Sequence, residues 1–112
     1  MVRKDRKFHV SLALHEAVAG QLQRDPERVR ELGLRGVQKV LPHNRGFAAA
    51  WVQEWERLLQ QRDWGSVLHH LTSEDETSVE MRNCTVFLGA LTQQHRRQIL
   101  DDVYAKAEYI EA

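Results

Sequence analysis

Apolar residues recur at intervals of three or four positions along most of the chain, the spacing that places them on one face of an α-helix. A first helix is expected over about residues 9–23. Asp25-Pro26 then starts a second helix, because aspartate accepts hydrogen bonds from the free N–H groups of a first turn and proline needs none there. That helix is expected to break near Gly36 and to end before Pro42. The apolar stripes are Leu14, Val18 and Leu22 in the first helix and Val29, Leu32, Val37 and Val40 or Leu41 in the second.

The strongest apolar stripe predicts a third helix over about residues 45–61, with Asn44 as its N-cap. Trp51 and Trp55 lie one turn apart and are expected at the centre of the core, where three neighbouring alanines let another helix approach. A homodimer that buries the same two tryptophans is an open alternative to a monomeric core. The full stripe is Phe47, Trp51, Trp55, Leu58 and Leu59.

Three further helix starts are visible in the second half of the chain. Asp63 opens a short fourth helix. Ser73 and Glu76 form a capping box, in which each side chain bonds to the other's backbone N–H, and this pair opens a fifth helix. Thr92 caps the last helix, which is expected to end near residue 108. The inner side of the last helix is expected to consist of Ile99, Leu100, Val103, Tyr104 and Ala107.

The helical pattern leaves no paired strand, since the β-prone stretch CTVFL stands alone and a single strand is not stable. We therefore predict an all-α protein, a single-domain five- or six-helix bundle. Residues 1–7 are expected to form a basic N-terminal arm and residues 8–112 the helical domain. The composition of the 112 residues, 42% hydrophobic and 29% charged, is that of an ordinary globular protein.

The cellular location is inferred from three features of the sequence. Cys84 is the single cysteine, so a disulfide framework within the chain is excluded. No apolar run approaches the roughly 20 residues that span a bilayer. No signal cleavage site follows the basic start. We expect a cytoplasmic protein that does not interact with membranes.

Charge is unevenly distributed although the net charge is zero. Through Arg62 the chain has 12 Lys and Arg against 7 Asp and Glu, and from Asp63 onward it has 4 against 9. Two interpretations remain open. The halves attract each other within the fold, or a basic face is presented to an anionic partner. A neutral total argues against strong non-specific nucleic-acid binding, which is typical of markedly basic domains.

The residues that carry chemistry do not form a catalytic or metal-binding pattern. A zinc site on a helix uses histidines four residues apart, whereas His69 and His70 are adjacent and His9 and His15 are six apart. Cys84 has no neighbouring base that would activate it as a nucleophile. The acidic clusters are explained by helix capping and solvent exposure. We expect no catalytic residue, no metal ion and no cofactor, and predict that the protein is not an enzyme.

Basic and amide side chains suggest a DNA-binding regulator as one hypothesis. Glutamine and arginine early in a helix read adenine and guanine in a major groove, and a basic arm can follow phosphates. A recognition helix normally follows its preceding helix after three or four residues, however, and here the connection is longer and apolar. The candidates are Arg3, Lys4, Arg6, Lys7, Gln94, Arg96 and Arg97.

The apolar connection over residues 86–91 suggests a protein-binding module as the other hypothesis. Burying its large side chains would contribute about 1.5–3 kcal/mol each. The stretch therefore either plugs the helical core, which is the commoner arrangement, or forms an exposed patch for a partner protein. The candidates for the partner surface are Trp64, Phe87, Leu88, Arg96 and Arg97.

Three blocks of the sequence, SLALHEAVAGQLQRDPERV, WVQEWERLL and LTSEDETSVEMRNCTVFLGALT, resemble in their order a group of small helical bacterial antitoxins and antitoxin-like transcriptional regulators. The third block of that group follows the pattern R-x-x-S-P-F-x-G-x-L-T. Arg82, Phe87, Gly89, Leu91 and Thr92 fit the pattern, and the stretch from Cys84 to Val86 departs from it. The resemblance implies a non-enzymatic protein that binds and neutralises a toxin, and that also binds operator DNA in many members of the group.

Overall fold

The computed structural model describes the backbone of residues 2–111 and the side chains of residues 2–106. Over residues 2–111 the chain forms six α-helices, two 3₁₀ turns and no strand, which confirms the all-α prediction. The helices are α1 (Arg6–Arg24), α2 (Pro26–Val40), α3 (Phe47–Gln60), α4 (Trp64–Thr72), α5 (Glu76–Asn83) and α6 (Gln93–Glu111), and the 3₁₀ turns are Leu41–His43 and Leu88–Ala90.

Three of the expected helix caps are confirmed. The carboxylates of Asp25 and Asp63 accept from the N–H groups of Arg28 (3.1 Å) and Ser66 (3.2 Å) at the starts of α2 and α4. Thr92 Oγ1 accepts from the backbone N–H of the residue three positions on at 3.0 Å and so caps α6. Each cap satisfies one of the N–H groups that a first turn leaves without a partner.

Two expected caps are wrong, and α1 begins earlier than expected. Asn44 follows a 3₁₀ turn and donates to a carbonyl before it, so α3 starts at Phe47, two residues after the expected position, with Gly46 as its N-cap at φ 61°. Asp75 caps α5 in place of Ser73, which ends α4. Asp5 caps α1, so the last two residues of the predicted arm belong to that helix.

The core is centred on α3. Trp55, Leu58 and Leu59 are buried there, and the indole N–H of Trp55 donates to the carbonyl of Met81 at 2.7 Å. Trp51 is partly buried against the same cluster. Phe47, in contrast, is 87% exposed, which corrects its assignment to the core stripe. It is the first residue of α3, and the helix turns its side chain into solvent before any neighbouring helix covers it.

The segment between α5 and α6 is part of the core. Val86 and Phe87 are 2% exposed, and the segment packs on α2. Gly36 permits this contact, because a Cβ atom there would lie 1.8 Å from the carbonyl oxygen of Val86. A Cβ at Gly33 would lie 2.6 Å from a methyl of Leu59. The expected break in α2 is therefore wrong, and its glycines serve close packing instead.

The last helix packs on α1 and is only partly buried. Ile99, Leu100 and Val103 are half-buried, and Tyr104 is 43% exposed under the guanidinium of Arg6, 5.1 Å from its ring centre. The expected inner residue Ala107 lies outside the described side chains. The described part of α6 thus covers the surface of the bundle and adds little to its centre.

Candidate protein-binding surface

The turn Leu88–Ala90 presents an apolar side chain from a fixed backbone. Leu88 is 56% exposed, whereas Phe87 before it and Ala90 after it are buried. The backbone is held by two hydrogen bonds, from the Phe87 N–H to Thr85 Oγ1 (3.1 Å) and from the Ala90 N–H to the Phe87 carbonyl (2.9 Å). The buried neighbours thus anchor the turn and leave Leu88 and Gly89 facing solvent.

A buried histidine fixes the start of this turn. His15 Nδ1 lies 2.6 Å from the carbonyl of Ser11, which can only accept, so Nδ1 carries the proton. Nε2 is then the acceptor for the Thr85 hydroxyl at 2.7 Å. Burial lowers the pKa of His15 to about 4, against the opposing effect of the Ser11 carbonyl and with a smaller contribution from the positive charge of Arg82. His15 is therefore neutral at pH 7 and links α1 to the turn.

Arginine side chains flank Leu88. The guanidinium of Arg96 donates to the Leu88 carbonyl at 2.6 Å, which ties the first turns of α6 to the exposed residue. Arg97 and Gln94 are exposed on α6. Of the expected contact residues, Leu88 and Arg96 are in direct contact, and the surface around them is called the Leu88 surface; among the described side chains no contact of Arg97 with Leu88 is found.

A cavity of about 400 Å³ lies on the other side of the turn. It separates the end of α1 and the start of α2 from residues 89–92. Arg24 and Arg28 line it together with Gly89. The exposed turn is therefore bordered by arginines on both sides.

Two expected partner residues are not on this surface. Phe87 is 2% exposed and packs edge-on against Trp55 with ring centres 5.0 Å apart, so its assignment to the contact surface is corrected to the core. Trp64 is half-buried against the core, and it lines neither the cavity of about 400 Å³ nor a smaller one of about 20 Å³ that Leu88 and Arg96 line. Phe87 and Leu88 are adjacent, yet the turn directs the first into the core and the second into solvent. An apolar run in a sequence does not reveal this difference.

Acidic or aromatic side chains lie beside three of the four basic residues near the N-terminus. Lys4 forms an ion pair with Glu74 (3.1 Å), and Arg3 lies 3.7 Å from Asp5. Lys7 is exposed. The guanidinium of Arg6 lies over the ring of Tyr104 on α6. Acidic side chains thus accompany the basic ones of the arm, which weakens its field for a polyanion.

A histidine cluster that the sequence did not indicate lies where α4 meets α5. Ser78 Oγ donates to Asp75 Oδ2 (2.9 Å) and therefore accepts from His70 Nδ1 (2.9 Å), while His69 Nε2 lies 3.2 Å from the same Asp75 oxygen. A hydrolytic triad needs an accessible serine and a carboxylate on the far nitrogen of its histidine. Ser78 is completely buried and Asp75 contacts the serine itself. The packing of α4 against α5 brings these residues together. The spacing of Asp75 and Ser78 was the feature of the sequence that could have predicted Asp75 as the cap of α5.

Arg82 has a structural role in the same corner. It is 3% exposed, and its Nη1 donates to the carbonyls of His70 (2.9 Å) and Ser73 (2.6 Å), which closes the C-terminal end of α4. Burial lowers the pKa of its guanidinium, which remains charged. Arg82 thus has a structural role, as do Phe87 in the core and Thr92 as the cap of α6.

Fold and surface together describe a six-helix bundle with one exposed apolar turn between arginines. Among the described residues, no group of three or more histidine, cysteine, aspartate or glutamate side chains is placed to hold a metal ion, and no helix is long and apolar enough to cross a membrane. Comparisons with protein-family models, curated proteins and solved structures find no match.

Proposed function

We propose that this protein is a non-enzymatic protein-binding module that neutralises a partner protein by covering its functional site, as bacterial antitoxins do. The proposal is supported by Leu88, a large apolar side chain held in water at 56% exposure by a turn whose neighbours are buried. A fixed backbone loses little conformational freedom on binding, so more of the burial energy remains as affinity.

The arginines beside Leu88 add selectivity to this apolar contact. Arg96, which donates to the Leu88 carbonyl, and Arg24 and Arg28, which line the cavity with Gly89, make the rim of the turn positive. Charges around an apolar contact speed association with a partner of opposite sign and reject partners of the same sign. An apolar pocket with acidic groups at its edge is therefore the expected complement.

A DNA-binding regulator is the second candidate. Gln94 and Arg97 favour it, because both are exposed and residues three apart share a helix face. The connection from Asn83 to α6 disfavours it, since nine residues with a 3₁₀ turn separate α5 from α6. The acidic partners of Lys4 and Arg3 disfavour it further.

The test begins with the tagged full-length chain as bait in its native cell, at moderate salt, with protein and nucleic acid both analysed. A stoichiometric partner protein is then purified, and its affinity is measured by calorimetry for the wild type and for Leu88→Ser. About half of the Leu88 surface is exposed and can be buried by a partner. Loss of that burial corresponds to about 1 kcal/mol, or about a fivefold loss of affinity. Phe47→Ser is the matched control, because it removes an exposed apolar side chain from the start of α3 and should leave the affinity unchanged.

Two results would contradict the proposal. Equal affinity of the wild type and Leu88→Ser, with a loss in Phe47→Ser, would assign binding to a different surface. Recovery of DNA without a partner protein, with affinity that falls steeply with salt, would favour the regulator, because phosphate contacts release counterions.

A further inference from the structure

We propose that the 400 Å³ cavity beside Leu88 receives an acidic side chain of the partner protein together with an apolar neighbour of that side chain. This inference rests on the proposed function and specifies the chemistry of the partner at the same surface. The cavity lies between the C-terminal turn of α1, the first turn of α2 and the segment 89–92.

The cavity has an apolar floor and a polar rim. Val29, Ala90 and Leu91 are largely buried and supply apolar wall, together with the half-buried Leu32. No atom lies within 4 Å of the position that a Cβ of Gly89 would occupy, so the edge of the cavity is open where a partner chain would approach. The volume is within the range of about 300–1,000 Å³ that is typical of small-molecule pockets, enough for one or two side chains.

The rim carries more positive than negative charge that is free to act on a ligand. Arg24 lines the cavity and makes no ion pair with any described residue. Arg28 lies 3.5 Å from Glu31, which also binds Arg35, so one carboxylate is shared between two guanidinium groups. Asp25 lines the cavity as well, so the lining carries two guanidinium groups against one carboxylate, which also accepts from a backbone N–H of α2.

The start of α6 adds to the charge of the arginines, whereas the start of α2 is already capped by the carboxylate of Asp25. The cavity is lined by Asp25 and by Thr92, the residues that precede the first turns of α2 and α6. The N-terminal end of a helix carries a partial positive charge that favours a nearby anion. The arginines remain the main contribution, because a guanidinium carries a full charge and binds a carboxylate through two parallel hydrogen bonds.

The apolar floor distinguishes a protein segment from a nucleic acid as the occupant. A peptide can place a carboxylate on Arg24 and an adjacent leucine or valine on the floor. A phosphodiester backbone has no apolar group next to its charge, so it would use the rim and leave the floor in water. Charge and apolar wall in one cavity therefore favour an acidic, amphipathic peptide segment.

The experiment is a titration of the ¹⁵N-labelled full-length protein with two capped tetrapeptides, Leu-Glu-Glu-Leu and its neutral analogue Leu-Gln-Gln-Leu, followed by NMR. We expect the acidic peptide to give saturable shifts at the amides of residues 21–25, 27–29 and 89–92, and the neutral peptide to bind several-fold more weakly. Arg24→Gln should weaken the acidic peptide by about three- to fivefold, which is the value of one exposed charge pair. Arg45→Gln is the matched control, because it removes one exposed arginine that does not line the cavity.

The inference is overturned if the two peptides bind equally, if Arg24→Gln and Arg45→Gln behave alike, or if millimolar acidic peptide causes no saturable shift in these residues. A short DNA duplex that shifts the same amides while the peptide does not would assign the cavity to phosphate. Failure of the proposed function has a different result: Leu88→Ser keeps full affinity for the purified partner. That result does not depend on whether the peptides bind near Arg24.

Discussion

The buried imidazole of His15 should make the stability of this protein fall on acidification, by an amount that can be worked out from its surroundings. The ring is 4% exposed, donates to the Ser11 carbonyl and accepts from Thr85. Protonation would place a second N–H against the Thr85 oxygen and a charge in the core. These costs appear as a pKa of about 4, compared with 6.5 for an unperturbed histidine.

The sign follows from proton binding. Between pH 6.5 and 4 the unfolded chain carries the proton at His15 and the folded protein does not, so stability rises with pH in that window. The contribution of the neutral ring is complete above pH 6.5 and is lost as the pH falls toward 4. At about 1.4 kcal/mol per pH unit, the whole window is worth about 3 kcal/mol.

The assay is urea unfolding of the wild type and of His15→Gln, followed by tryptophan fluorescence at several pH values from 7 to 4. Carboxylates titrate in both proteins, so the difference between the two pH profiles isolates position 15. Between pH 7 and 4 the free energy of unfolding of the wild type should fall by about 3 kcal/mol more than that of the variant. This difference corresponds to a shift of about 1–3 M in the urea midpoint. His43→Gln, which removes an exposed histidine, controls for the change of charge. Parallel profiles for the wild type and His15→Gln would refute the reasoning.

Two further pairs of substitutions test packing and capping. Gly36→Ala should destabilise by about 3 kcal/mol or more, because its Cβ would collide with a backbone carbonyl, whereas Gly20→Ala should stabilise by about 0.5–1 kcal/mol, because its Cβ meets no atom closer than 3.9 Å. Equal melting temperatures for the two variants would contradict the close approach described for α2. Asp75→Ala should cost about 1 kcal/mol through loss of the α5 cap, and Ser73→Ala should cost much less. The reverse order in chemical denaturation would restore the capping box expected from the sequence.

The helices were predictable because their signals are local. Asp25, Asp63 and Thr92 each act on a backbone N–H within three residues, so the sequence around them contains the whole interaction. Asn44 and Ser73 failed for a related reason. In each case another possible N-cap residue lies within two positions, Gly46 or Asp75, and the helix starts there instead.

The exposure of the candidate surface was only partly predictable. Apolar and basic composition pointed to Leu88, which is exposed, and to Arg96 and Arg97 on α6. Phe87 was assigned to the wrong side, because its burial depends on Gly33 of a distant helix and on the backbone rotation of the turn. The cavity beside Leu88 was not anticipated, since Arg24 and Gly89 are 65 positions apart and only the packing of α2 on the turn brings them together. Non-local contacts of this kind leave no periodic trace in a sequence.

The buried segment between α5 and α6 also bears on how the protein is made. A ribosome delivers residues from the N-terminus, so Val86 and Phe87 arrive after the helices that they must cover. Until then Trp55 lacks the ring that packs against it, and His15 lacks Thr85, its partner 70 residues away. The nascent chain therefore exposes its apolar interior to chaperones and proteases for most of its synthesis. We expect a chain that stops before residue 85 to be degraded, and not to persist as a smaller bundle.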